Sequence, residues 1–237
     1  MLSIRNVTKS YDGVKKACDN VSLEIESGDL FGFIGHNGAG KTTLLKSIAG
    51  IISFDEGEIY VDGKSIKNEP LDVKRNIAYI PDNPDIYDSL TGIQYLQFIA
   101  DVFQVEALER ARFIEEYATL FGILDVLNHP ISSYSHGMKQ KLVIISALIH
   151  KPKVLLLDEP FVGLDPKASF QLKEIFRNMC SKGTAIFFST HVLEVVEKLC
   201  NKVAIIKQGK IVAQGNTQEI IMDRSLESIF MEIASES

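Results

Sequence analysis

The sequence predicts an α/β protein whose strand-and-helix core is interrupted by a helical insertion. Three observations carry this. Short apolar strands alternate with amphipathic helices in the first third and again after residue 150. A glycine-rich turn, GHNGAGK, separates one such strand from the helix that follows. Between about Gly92 and Ile149 the apolar residues recur at three- and four-residue spacing, as a helical surface requires.

Residues 2–8 and 21–27 read as strands, with Val21, Leu23 and Ile25 alternating. Leu30 to Ile34 is a short apolar run, expected as a buried strand, and a helix is expected from about Thr42 to Ala49. Residues 58–61 and 77–80 are short strands. Texture changes after Pro84. The insertion places Tyr95, Phe98, Ile99 and Val102 on one helical face. Strands return at 153–158 and 185–189, with helices at about 167–180 and 192–199, and strands at 203–206 and 210–213. The last twenty residues have a helical stripe of Leu226, Ile229, Phe230 and Ile233, which the spacing predicts to dock on the chain's own domain.

The chain has 237 residues, 46% hydrophobic and 24% charged, enough for one large domain or one domain with an inserted subdomain. A net charge of -6 disfavours nucleic acid as the main partner. Cys18, Cys180 and Cys200 lie far apart, with no CxxC or zinc spacing, and read as reduced, buried thiols. The first residues carry no apolar secretory core. No apolar run approaches the roughly 20 residues that span a bilayer, so any membrane role is expected through a partner.

Gly35-His36-Asn37-Gly38-Ala39-Gly40-Lys41-Thr42 fits GxxxxGK[ST]. Glycines let backbone N–H groups converge on phosphate oxygens, and the following helix adds its positive end. Lys41 is expected on the β- and γ-phosphates and Thr42 on Mg²⁺. A chain of this length matches the pattern by chance roughly once in a hundred, and here the match falls between a strand and a helix. Val154-Leu155-Leu156-Leu157-Asp158-Glu159-Pro160 is a buried strand ending in two acids. Beside a phosphate cradle, Asp158 suits the metal shell and Glu159 the attacking water.

With these elements in place the chain resembles the ABC transporter ATPase family over essentially its whole length. The resemblance implies a P-loop NTPase fold: a RecA-like core with an antiparallel β edge (1–88 and 151–215), a helical subdomain at 89–150 and a helical tail at 216–237. It implies ATP and Mg²⁺ as cofactors and hydrolysis in a head-to-tail dimer, as homodimer or heterodimer. It further implies a transmembrane permease as a separate partner, no nucleic acid, and a place on the inner face of the cell membrane.

Tyr134-Ser135-His136-Gly137-Met138 stands where the family has LSGGQ, so Ser135 and Gly137 are implied contacts to the nucleotide of the opposite subunit. Tyr134, His136 and Met138 depart from the pattern. Tyr11 stands where the family stacks a ring on adenine, and Thr43 follows Thr42 in the phosphate site. Gly163-Leu164-Asp165-Pro166 resembles the loop that meets the other subunit, and His191 the histidine on the γ-phosphate. The family's usual glutamine after strand 77–80 is replaced by Asp82. It is either a further Mg²⁺ ligand or a turn aspartate. With the Tyr87–Gly92 segment it resembles exporter-type ATPases, which alone favours export. The cargo is not readable, because the permease selects it. A ribosome- or DNA-directed ABC ATPase is the main alternative. A small-molecule kinase would leave the Ser135–Gly137 helix start, 163–166 and His191 without work, and a non-catalytic subunit would not need Lys41, Asp158, Glu159 and His191 together.

Overall fold

The computed structural model describes residues 1–83, 86–222 and 224–235, so Pro84, after which the sequence texture changes, lies outside the described residues. The elements in chain order begin with β1 (Leu2–Ser10), β2 (Lys16–Ile25), β3 (Leu30–Ile34), α1 (Lys41–Ile48), β4 (Glu56–Val61) and β5 (Lys64–Ser65). α2 (Pro70–Asn76), β6 (Ile77–Ile80), α3 (Gly92–Val102), α4 (Ala107–Leu120) and α5 (His136–Leu148) follow. β7 (Val154–Asp158), α6 (Pro166–Ser181), β8 (Ala185–Thr190), α7 (Leu193–Leu199), β9 (Lys202–Lys207), β10 (Lys210–Asn216), α8 (Thr217–Ile221) and α9 (Leu226–Ser235) complete it.

Two compact units form. The first holds 1–79, 153–160 and 176–237; the second holds 80–152 and 161–175. The helical unit therefore starts at Ile80 rather than at residue 89 and takes in 161–175, while the 216–237 tail belongs to the core unit. Sequence texture marks where helices begin, whereas the units follow packing, so a loop and half of α6 change sides.

In the first unit a six-stranded sheet has the order β10-β9-β3-β8-β7-β6. β3 runs parallel to β8 and β9, and β7 parallel to β8. Every residue of β3, β7 and β8 is buried, which is why these strands are apolar runs without alternation. Phe31 and Phe33 both pack on Phe187, with ring centroids 5.5 and 5.2 Å apart. A four-stranded antiparallel sheet, β2-β1-β4-β5, forms the edge. Here alternation survives: Leu2 and Ile4 are buried opposite Ile25 and Leu23. The register slips between Ile4 and Val7, where Asn6 has φ 52°. This bulge returns Val7 to the buried face although it is out of phase with Leu2 and Ile4.

β2 begins at Lys16, earlier than expected, because residues 16–20 mix polar side chains with Ala17 and Cys18 and carry no apolar alternation. It stops at Ile25, where Glu26 N–H bonds the Asp29 carboxylate at 2.7 Å in a turn. α2, opened by Pro70 at its first turn, has one buried residue, Val73, and so gave no stripe to read.

In the second unit Thr91 caps α3 reciprocally with Gln94, the capping-box exchange. Tyr95 is buried and its hydroxyl lies 3.3 Å from Ser146 of α5. Among the described residues no helix is long and apolar enough to cross a membrane.

Candidate functional site

β3 delivers the chain to the glycine-rich turn and α1 carries it away. Gly40 has φ 112°, and a Cβ there would lie 2.1 Å from the Ala17 carbonyl; only glycine fits this approach. Gly35 and Gly38 complete the turn, Ala39 N–H donates to the His36 carbonyl at 3.1 Å, and His36, Asn37 and Gly38 are exposed. Lys41 is buried, with Nζ donating to the carbonyls of Gly35 (2.7 Å) and His36 (3.3 Å).

Thr42 Oγ1 donates to Asp158 Oδ2 at 2.6 Å. The other Asp158 oxygen accepts from Ser189 Oγ. Asp158 is 2% exposed at the end of β7. A buried carboxylate is tolerated here because each oxygen has a donor. Ser189, which carries no motif of its own in the sequence, is a direct partner of Asp158.

Glu159 follows in the left-handed region, φ 50°, which a non-glycine residue adopts at a cost of order 1–3 kcal/mol. Its N–H bonds the Ser189 carbonyl at 3.1 Å. That backbone turn brings Glu159 Oε1 to 2.9 Å from Nδ1 of His191, and His191 N–H reaches Oε2 at 3.4 Å. Tyr11 is 67% exposed, and its hydroxyl lies 3.2 Å from Thr43 Oγ1 at the start of α1. The turn that carries it is tied by Asp12, whose Oδ1 accepts from Val14 and Lys15 N–H. These two bonds hold the Asp12 carboxyl below its ordinary range. Tyr11, Lys41, Thr42, Thr43, Asp158, Glu159 and His191 thus all belong to the first unit.

The second unit assembles a separate constellation. Ser135 caps α5, its Oγ accepting from Met138 N–H at 3.3 Å. A Cβ on Gly137 would lie 2.8 Å from the Gly163 carbonyl, and one on Gly163 2.7 Å from the His136 ring. The 161–165 loop is therefore interlocked with the helix start. Lys141 Nζ pairs with Asp165 Oδ2 at 2.7 Å, while Asp165 Oδ1 accepts from Ala168 N–H and caps α6. The Lys141 contact, then that backbone bond, lower the Asp165 pKa. The Lys141–Asp165 pair was not readable from spacing, since two loops and a strand separate the partners. Tyr134 has a physical account too: its hydroxyl donates to the Val126 carbonyl at 2.7 Å, a bond leucine lacks. Asp82 lies in this unit, exposed in the bend after β6.

A groove of about 640 Å³ opens between α3 and α4, lined by Ile93, Gln97, Ala107, Arg110 and Ile114 among others. Tyr87 and Phe98 stand edge to face, centroids 6.1 Å apart, both exposed. Phe98 is thus on the surface, and Tyr95 is the ring that packs inside.

A phosphate-binding turn between a parallel strand and a helix, with two acids at the end of β7, which β8 separates from β3 in the same sheet, defines a nucleotide-hydrolysing P-loop protein. Residues 18–162 match the family described as ABC transporter, and the chain belongs to that family. It is 34% identical over 226 residues to the uncharacterized ABC transporter ATP-binding protein YhcH of Bacillus subtilis (strain 168), covering 95% of this chain and 73% of YhcH. The solved structure of an ATP binding subunit of an ABC transporter superposes with TM-score 0.94 at 30% identity, covering 99% of each chain. The dimeric, post-hydrolysis structure of the ATP-binding cassette MJ0796, itself bound to ADP and Pi, shares the fold with TM-score 0.84 at 23% identity, over 92% of this chain and 99% of that one. The chain is an ATP-binding subunit of ABC type and an ATPase; cassettes of this family dimerise and work with membrane permeases.

Proposed function

We propose that this subunit hydrolyses ATP in a head-to-tail dimer on the inner face of the cell membrane, and so drives export through a separate permease. The observation that carries the catalytic half is the Glu159–His191 pair, 2.9 Å apart, beside the Thr42–Asp158 bond. Glu159 accepts a proton from the attacking water as its oxygen closes on the γ-phosphorus. The bond to the bridging oxygen breaks, and ADP and phosphate leave. His191 holds the Glu159 carboxylate through Nδ1 and faces the γ-phosphate. Lys41 exchanges its loop carbonyls for the β- and γ-phosphates, with the N–H groups of 35–43 around them. Tyr11 offers an exposed ring to adenine.

The donor set fits Mg²⁺. A hydroxyl and a carboxylate already in contact, Thr42 and Asp158, are the hard oxygens that ion takes, with water and phosphate completing its shell. Bound there, the ion neutralises phosphate charge. Asp82, exposed in the bend after β6, is either a further Mg²⁺ ligand or a turn aspartate.

Each subunit offers its Ser135–Gly137 helix start to the nucleotide held by the other. The interlock with 161–165 makes that start a stiff piece. The groove between α3 and α4, with Tyr87 and Phe98 exposed nearby, supplies an apolar surface suited to a permease helix. The test is native fractionation with crosslinking. Recovery with an integral membrane protein supports the proposal, and recovery with ribosomes or DNA overturns it.

A further inference from the structure

The C-terminal helix reaches the phosphate loop. α9 is pinned at both ends: Leu226 N–H donates to the Glu197 carboxylate of α7 at 3.2 Å, and Lys207 Nζ of β9 donates to the Ile233 carbonyl at 2.6 Å. Leu226 is fully buried and Ile229 is 7% exposed. Between these anchors the ring of Phe230 rests on the His36 imidazole, centroids 4.5 Å apart and planes inclined by 46°.

His36 is where such a contact has leverage. Gly35, Gly38 and Gly40 have no side chain to anchor, and Asn37 is exposed. The His36 carbonyl accepts from both Ala39 N–H and Lys41 Nζ. The orientation of this peptide therefore bears on where the loop turns, and together with the nearer Gly35 carbonyl, 2.7 Å from Nζ, on where the lysine rests. A glycine-rich loop has high conformational entropy, so a ring fixed on a docked helix lowers the cost of ordering it around an anion.

We propose that Phe230 is a positioning residue for nucleotide binding, which holds the 35–40 loop through His36 in the conformation that receives the triphosphate. This rests on reading 35–42 as the phosphate cradle. Aromatic contacts of this kind correspond to a few-fold to about ten-fold in an equilibrium.

The experiment measures Mg-ATP affinity by calorimetry, steady-state ATPase and thermal melting on the full chain. Phe230→Ala is expected to weaken ATP binding about three- to ten-fold and raise KM, with kcat nearly unchanged, at a temperature where melting shows it folded. Phe230→Tyr is expected to behave as wild type. In the Phe230→Ala background, His36→Ala is expected to cause no further loss. Wild-type affinity in Phe230→Ala, or additive losses in the double variant, overturns the proposal and leaves Phe230 as packing for α9. Lys41→Ala tests the cradle separately: unchanged ATP affinity there removes the cradle reading itself, whatever Phe230 does.

Discussion

Thr42 and Asp158 are joined by a 2.6 Å hydrogen bond, so the first turn of α1 and the last residue of β7 meet directly. With Ser189 on the other carboxylate oxygen, Asp158 ties α1, β7 and β8 together. Glu159, one residue on, inherits its position from this knot, and its left-handed backbone turns its carboxylate to His191.

Glu159→Gln is expected to lower ATP turnover about 10²–10⁴-fold, the usual contribution of a positioned base. The amide keeps the shape and still meets His191, so ATP binding is retained. The variant is expected to accumulate as an ATP-bound dimer in size-exclusion chromatography. Wild-type turnover would remove Glu159 from the chemistry.

Asp82 separates two readings of the second unit. As a metal-linked residue, Asp82→Ala lowers turnover and weakens the stimulation of ATPase activity by the permease. Asp82→Asn is milder because one oxygen ligand remains. ATPase assays of both variants with and without permease decide it. Normal rates and normal stimulation in both would make Asp82 a turn residue and take away the mechanistic support for export.

The three thiols are expected to resist alkylation. Burial pushes Cys18 and Cys180 up to about 12 and Cys200 well above its ordinary value, and the thiolate is the reactive form. The sign of the linkage follows. The fold favours the neutral thiol, so its contribution to stability is complete below the unfolded thiol pKa of about 8.5. It is lost as pH rises from there toward 12. Maleimide at neutral pH should label the native chain slowly and modify three cysteines after urea unfolding. Fast labelling of native Cys18, whose Sγ faces the Gly40 carbonyl at 3.7 Å, would contradict this.

The central sheet and the phosphate loop were legible because their signals are local. β3 and β7 are unbroken apolar runs, and GHNGAGK needs no distant partner to be read. The family resemblance singled out Ser135, Gly137, Asp165 and His191, which spacing alone does not. What escaped is long-range or depends on backbone angles. The Lys141–Asp165 pair, the slip at Asn6 and the left-handed Glu159 leave no periodic trace. α2 escaped for want of a stripe, with Val73 its one buried residue. Phe98 and Tyr95 share a helical face pattern, but the position of α5 decides that Tyr95 is inside and Phe98 is out.

Removing residues after Ser225 tests the role of α9 as a whole. The stripe predicted to dock on the chain's own domain does so in this structure. Leu226 and Ile229 are buried, Phe230 is half-buried on His36, and the Ile233 carbonyl takes the Lys207 ammonium. Burying side chains of this size contributes about 1.5–3 kcal/mol each at most. For a domain of this length each kcal/mol moves Tm by roughly 2–4 °C, so the truncated chain should melt roughly 5–15 °C lower. The loss should be seen in the isolated subunit, because the helix packs on α7 and β9 of its own chain. A truncated chain that keeps its Tm but no longer drives transport would make the stripe a contact with the permease or the second subunit instead. Calorimetric melting of both chains, followed by ATPase assays with permease, separates the two outcomes.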